Sequence, residues 1–242
     1  DVDNDVWEID PVNKTTKKVV TSPQMYQTAN ALAWDPSHED LFWVNAANTF
    51  QYWDRTTNTV KDVGGLSLGL TADPNNMAYY NGSIWYFEHN SNILREAQLT
   101  YAGADALTAV PSVSNINSYA VLGMSAFGIN TNSFGDISID TRTGTLYAFT
   151  SRGRLYSVDL ANPITSFTQI VASLGNDRKV GLQLAHDANG TLYGTSYPQG
   201  DWYTIDVTTG ALTPIGDFTT LLAGDRGIRD LAGAATTAYV AP

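Results

Sequence analysis

The first residues to test for chemistry are the acids, because a glycosidic bond is cleaved by two carboxyl groups, one of them protonated. They stand roughly 5–5.5 Å apart for retention of configuration and roughly 6.5–9.5 Å apart for inversion. Of the four glutamates, Glu8 and Glu96 fall inside expected strands and Glu39 in a turn on the opposite face. That leaves Glu88 as the candidate acid, with Asp136 or Asp230 as its partner. Those two aspartates, with Asp177, Asp201, Asp217 and Asp225, stand outside the turn positions that account for most other acids in the chain.

Other chemistries find little to work with. His38, His89 and His186 occupy different places in the repeat described below, which argues against a histidine metal cage, and His186 reads as a packing residue between repeats. Asp1, Asp3 and Asp5 alternate like the start of a calcium loop. The sixth and twelfth positions are Val6 and Val12, however, where such a loop needs Gly and Glu. The chain has no cysteine and therefore no disulfide, thiolate ligand or thiol nucleophile. Gly-x-Ser-x-Gly, phosphate-loop and dinucleotide fingerprints are missing, so no cofactor and no metal are expected. Asn13, Asn81 and Asn189 head glycosylation sequons in turns and matter only in a host that glycosylates asparagine.

Thirteen basic against 24 acidic side chains give a net charge of −11, which disfavours nucleic acid and anionic membranes as partners. No run of 18 apolar residues exists, so no membrane insertion is expected. The acidic first residues do not resemble a secretory signal, so an exported form would already have lost one. Only 15% of residues are charged while Thr, Asn, Ser, Tyr and Gly are abundant, a mixture that points to the extracellular space or a cell surface.

The elements that must carry these residues are clearest in Leu184–Gly216, where four short apolar runs are separated by Asp-x-x-Gly, a polar loop and Asp-x-x-x-Gly. This is the pattern of a four-stranded antiparallel meander. Its opening step recurs as Leu32-Ala33-Trp34-Asp35, Leu70-Thr71-Ala72-Asp73, Ile137-Ser138-Ile139-Asp140 and Leu231-Ala232-Gly233-Ala234, at successive spacings of 38, 67, 47 and 47 residues. Repeats of this length predict an all-β fold, a five-bladed β-propeller of four-stranded antiparallel blades, forming one domain over residues 1–242. The expected blades are 31–63, 69–110, 136–171, 183–216, and a shared blade in which 231–242 supply inner strands and 1–21 outer strands. Residues 111–134 read as an insertion. Asp10, Asp35, Asp54, Asp73, Asp140, Asp159, Asp187 and Asp206 all sit where an aspartate caps its own turn.

At Gly190-Thr191-Leu192-Tyr193-Gly194 with Ile205-Asp206-Val207-Thr208-Thr209-Gly210, and again at Gly144-Thr145-Leu146-Tyr147 with Val158-Asp159, the chain resembles exported bacterial β-propeller repeat proteins of uncharacterised function. These are turn and core motifs, so the resemblance implies a fold and no activity. Five-bladed propellers also include glycoside hydrolases and lectins, an analogy at the level of fold alone.

In such a ring the loops 21–30, 64–68, 111–135, 172–181 and 217–229 gather at one mouth of the central channel. Asn30, Tyr119, Asp136, Gln183, Tyr197, Trp202, Arg226, Arg229 and Asp230 are the expected ligand-binding residues there, with Tyr26 and Phe127 as further stacking faces. The resulting expectation is a non-catalytic extracellular binding or assembly module for a glycan or a partner protein. The alternatives are a glycoside hydrolase using Glu88 with Asp136 or Asp230, and a subunit of a homopolymeric filament. The filament reading comes from 111–134, an uncharged segment that must either plug the channel or offer a neutral patch to a second copy.

Overall fold

The computed structural model describes residues 5–21, 31–45, 47–70, 76–88, 90–127, 134–150, 153–171, 182–196, 200–217 and 231–233. Among the described residues all regular structure apart from one short 3-10 turn at Ser125–Phe127 is β. The hairpin β1 (Asp5–Asp10) and β2 (Thr15–Thr21) comes first. A first blade follows from β3 (Leu32–Asp35), β4 (Asp40–Val44), β5 (Phe50–Asp54) and β6 (Thr59–Asp62). After a two-residue strand β7 (Gly64–Gly65), the second blade is β8 (Ala78–Tyr80), β9 (Ser83–Phe87), β10 (Ile93–Ala102) and β11 (Val110–Ala120). The third is β12 (Phe134–Asp140), β13 (Thr145–Thr150), β14 (Leu155–Asp159) and β15 (Thr168–Val171). The fourth is β16 (Leu182–His186), β17 (Leu192–Ser196), β18 (Asp201–Ile205) and β19 (Leu212–Asp217). Each blade is an antiparallel meander in chain order.

The second strand is the most deeply buried element of three blades. β4, β9 and β17 are buried at every position because a neighbouring blade covers each face. The inner strand β16 instead alternates buried and half-buried residues, Leu182 and Leu184 packing with Phe149 of the third blade and Ala185 with Leu231 on the other side. Cores form between blades. Phe42 and Tyr52 meet Met77 and Tyr86 across the first interface, Phe87 and Leu94 meet Ile137 and Tyr156 across the second, and Phe149 meets Leu184 and Leu192 across the third.

The turns between first and second strands, and between third and fourth, emerge on one face and are held as their aspartates suggest. Asp35 accepts the Ser37 N–H at 2.8 Å, Asp187 those of Asn189 and Thr191 at 2.9 and 2.8 Å, and Asp206 that of Thr208 at 2.8 Å. Asp10, Asp54, Asp140 and Asp159 do likewise, while Asp73 lies outside the described residues.

Three expectations need correction. Among the described residues the structure shows four complete four-stranded blades, not five. The gap between the fourth and first blades holds the hairpin β1–β2 with Leu231–Gly233: Trp7 and Ile9 pack with Leu231 against Tyr193 and Trp202 on one side, and Val6 packs with Ala232 against Trp43 and Trp53 on the other. Residues 234–242, expected to complete inner strands there, lie outside the described residues.

The second blade is also framed differently from its expected 69–110 span. Its inner strand is Ala78–Tyr80, joined to β9 by the tight Asn81-Gly82 turn with φ of 50° and 78°. Its outer strand is Val110–Ala120. Residues 110–120 are therefore no insertion, plug or free loop, because they pair with β10 along their whole length. A bulge at Ser114 keeps Val113 and Ile116 on the same side, facing the first blade. The strap β7 runs parallel against Ser112 and Val113, and Gly65, at φ 84°, is the residue that lets it come so close: a side chain there would run into the Val113 carbonyl.

Candidate functional site

The inner strands position the site. β12 and β16 lie side by side, and the fully buried Asp136 ties them together: its Oδ1 accepts the Ile137 N–H at 2.7 Å and its Oδ2 the Leu184 N–H at 2.6 Å. This strut fixes the register between the third and fourth blades. Two residues further along both strands, Ser138 Oγ then falls 2.8 Å from His186 Nδ1. Ser138 is 4% and His186 5% exposed, and the His186 ring lies against Tyr147 at 5.3 Å between centroids. The other ring nitrogen, Nε2, is buried with no hydrogen-bond partner among the described residues.

Burial pushes the His186 imidazole down to about 4, against the opposing pull of the Asp140 and Asp187 carboxylates. The ring is neutral at physiological pH. Asp140 is held below the usual carboxylate range by Arg142, which bonds it through both Nε and Nη2.

His186 and Ser138 face a cavity of about 400 Å³ on the ring axis. All four blades and the closing segment line it: Leu32–Trp34, Met77–Tyr80, Ile137–Ile139, Leu184 and His186, and Leu231–Gly233. Pro36, Ser37, Asn81, Gly82, Thr141 and Asp187 form its rim. These rim residues belong to the turns after the inner strands, so the cavity reaches the face opposite the expected mouth. Most of the expected mouth loops, 22–30, 128–133, 172–181 and 218–230, lie outside the described residues.

A second buried cluster joins the first two blades beside the rim. Asp35, fully buried, takes hydrogen bonds on one oxygen from the Tyr101 phenol at 2.6 Å and from His38 Nδ1 at 2.7 Å. The two rings stack 3.4 Å apart. Asp40 lies directly across the hairpin from Asp35. Burial, then the negative charges of Asp35 and Asp54, push its carboxyl up to about 7. Burial and the neighbouring Asp35 raise both Tyr79 and Tyr101 above the normal phenol range.

Of the residues expected to bind ligand, the four that are described, Tyr119, Asp136, Gln183 and Trp202, do not come together. Asp136 is a strut between blades. Trp202, 3% exposed, is core between the fourth blade and the hairpin. Tyr119 lies on the outermost strand β11, stacked on Trp85 and donating to Glu96 Oε2 at 2.8 Å. Gln183 is half-buried on β16. Glu88 is ion-paired with Arg95 on the next strand at 2.6 Å. Asn30, Tyr197, Arg226, Arg229 and Asp230, and the weak cation candidates Asp1 and Asp3, lie outside the described residues; Asp5 is described only as the start of β1. Among the described residues no group of three or more His, Asp or Glu side chains could hold a metal. Asn13, Asn81 and Asn189 are all in turns, and Asn13 donates its amide to Asp10 Oδ2 at 2.7 Å.

Sequence reasoning missed His186 and Ser138 as a pair. The available signal was Ser138 itself, a hydroxyl at an inner-strand position where Ala33, Ala185 and Ala232 stand in three of the other copies.

No protein-family model matches the chain, and no curated protein sequence matches it. Solved structures do. A catalytically inactive virginiamycin B lyase from Staphylococcus aureus, crystallised with quinupristin, is similar at 13% identity and a TM-score of 0.50, over 88% of this chain and 62% of that one. A structural genomics protein of unknown function from Bacteroides thetaiotaomicron is similar at 13% identity and a TM-score of 0.51, over 81% of this chain and 45% of that one. A chain of a nidogen/laminin complex is similar at 12% identity and a TM-score of 0.47, over 82% of both chains. The present chain thus spans less than two thirds of the lyase and less than half of the Bacteroides protein. At these identities the likeness establishes the β-propeller fold.

Proposed function

We propose that the chain is a non-catalytic binding module that works outside the cell and takes a glycan or partner-protein group on its channel axis. The observation that carries this is the axial cavity, lined by all four blades and by Leu231–Gly233. The hydrolase alternative loses support from the positions of its carboxyls, since Asp136 is spent on backbone amides and Glu88 on Arg95. An extracellular setting is supported by the uncharged polar composition and by the resemblance to exported bacterial repeat proteins. Among the described residues no helix is long and apolar enough to cross a membrane.

Trp34 lines the cavity, so its fluorescence reports occupancy. Titration with a panel of oligosaccharides and glycopeptides should change the emission. If nothing in the panel perturbs it at millimolar concentration, the axial binding reading is wrong.

A second reading, self-association, is favoured by β11. This 11-residue strand carries no charge, and among the described residues its outer edge is paired only at Ser112 and Val113. In a chain of net charge −11, a neutral edge is where two copies can pair strand to strand without like charges meeting. Sedimentation of the wild type against Ser114→Lys/Asn115→Lys checks it. Oligomers lost in the variant support the pairing, and a monomer at high concentration in both ends it.

A further inference from the structure

We infer that the far end of the long hairpin β10–β11, residues 99–113, is a clasp on the first blade that a proton on Asp40 keeps shut, and that it lifts locally as that proton is lost. The clasp closes the joint beside the rim of the axial cavity, where Ser37 and Tyr79 stand, and it acts whatever the cavity holds.

The hairpin is divided so that its tip can move as a unit. β9 pairs with β10 from Leu94 to Gln98, and the next residue, Leu99, donates its amide to the Gly82 carbonyl at 2.8 Å. From there on the hairpin has left its own blade. The bulge at Ser114 falls at the same level, since Gln98 faces Asn115 and Leu99 faces Val113, so root and tip meet at a bending point. The tip lies on the first blade instead. Leu99, Tyr101 and Val113 pack with Phe42, Phe50 and Tyr52, the Thr56 hydroxyl donates to the Leu107 carbonyl at 2.7 Å, and β7 runs along Ser112 and Val113. The connecting residues 103–108 are exposed throughout.

Asp35 fastens the tip. The Tyr101 phenol donates to its carboxylate across the joint, and His38 shares the same oxygen with its ring stacked on Tyr101. Asp40 stands opposite Asp35 in the β3–β4 hairpin, 5% exposed, and its Oδ2 is buried without a hydrogen-bond partner among the described residues. A neutral carboxyl suits that place, whereas an ionised one puts a second charge beside Asp35 with no donor on that oxygen. Lifting the tip lets water reach it. The groups facing Asp40 are Asp35 from β3, Tyr52 and Asp54 from β5, Lys61 from β6 and Tyr101 from the clasp, while His38 and Tyr79 face Asp35. Against the upward pull of its burial, Asp54 is held below the usual carboxylate range by hydrogen bonds from Lys61 and Thr57, so it keeps its charge above about pH 4. With the clasp shut, burial and then Asp35 hold the Asp40 carboxyl at about 7, and in water it returns toward 3.8. Lifting therefore releases a proton between those two values. The lifted fraction grows with pH by up to about tenfold per unit and levels off above about pH 7.

Amide hydrogen exchange of the full chain, corrected for the intrinsic rate at each pH, reads the lifted fraction. Between pH 4.5 and 6, below the ordinary range of histidine, protection at 99–102 and at Ser112 and Val113 should fall roughly twentyfold. Protection in β4 should not follow, because unfolding of the whole ring also frees His186 to take up a proton, which offsets the slope. Asp40→Asn should leave the tip protected with no slope across this range. Tyr101→Phe keeps the ring stack and drops the donor to Asp35, so it should raise exchange at the tip about tenfold at each pH with the slope intact. Level protection of the tip across the range, a slope that survives Asp40→Asn, or one shared protection factor for tip and β4 amides at every pH overturns the clasp. The first and third of these outcomes are read on the wild type alone, whether or not either variant folds.

Discussion

Replacing Asp40 with asparagine and His186 with phenylalanine should tilt the pH dependence of stability in opposite directions, although the two residues lie in different blades. Asp40 is 5% exposed and its carboxyl is raised from 3.8 to about 7. Below about pH 4 it is protonated in the folded and the unfolded chain alike. As pH rises to 7 the unfolded chain releases a proton that the folded one keeps, so stability falls. At 1.36 kcal/mol per pH unit the loss is about 4 kcal/mol. His186 is lowered from 6.5 to about 4, so above pH 6.5 it is neutral in both states. As pH drops to 4 the unfolded chain binds a proton that the folded one refuses, and about 3 kcal/mol is lost on the acid side. In the wild type the two slopes nearly cancel, leaving stability flat within about 1 kcal/mol between pH 4 and 7. Asp40→Asn removes one slope, and its stability should climb by about 3 kcal/mol from pH 4 to 6.5. His186→Phe removes the other, and its stability should fall by about 4 kcal/mol from pH 4 to 7. Urea unfolding at half-unit pH steps measures both, each variant analysed with its own slope. The other shifted aspartates, Asp10, Asp54, Asp140 and Asp206, are all lowered, so they act below about pH 4 and leave this window clear. A profile for either variant that runs parallel to the wild type would refute the reasoning.

Asp136→Ala should cost about 2–4 kcal/mol, because it leaves two amides of the inner strands without their carboxyl acceptor, and thermal unfolding of purified protein would show it. Arg142→Gln, by contrast, removes an ion pair whose cation is 52% exposed and should leave the unfolding temperature nearly unchanged in the same assay. Gly233→Ala places a carbon 2.6 Å from the His186 carbonyl oxygen; it should cost about 1–3 kcal/mol and shift the His186 resonances, which a merely local loop change would not do. Removing residues 231–242 should unfold the ring rather than shorten it, since Leu231 and Ala232 stand in the cores on both sides of the hairpin. A truncated chain with unchanged unfolding temperature would count against that.

The propeller was legible because its turns repeat a chemistry as well as a pattern. An aspartate that caps its own turn is identifiable from two or three residues, and Asp35, Asp140, Asp187 and Asp206 all hold the amides expected of them. The second blade failed where that chemistry changes. Its inner turn is Asn81-Gly82, which needs no aspartate, so the Leu-x-x-Asp step at Leu70–Asp73 marked the wrong place for its inner strand. β11 was misread because the bulge at Ser114 breaks the period of two, and because its neutral Ser and Asn side chains satisfy one another, as Asn115 does with Asn117 at 3.1 Å. The cavity was illegible for a different reason. Its polar pair joins residues 48 apart on two inner strands, and nothing in either local sequence records that Asp136 will set their register.

The place of the hairpin β1–β2 has a consequence for how the chain is made. Val6, Trp7 and Ile9 complete their packing against Leu231 and Ala232, which leave the ribosome more than two hundred residues later. At synthesis rates of about 5–20 residues per second, that apolar face waits roughly 10–45 s for its partners, long after the first three blades have had time to form. Its half-exposed strand edge is therefore the part of the nascent chain with most need of a chaperone. Ring closure, the most non-local step in the fold, should come last and set the folding rate.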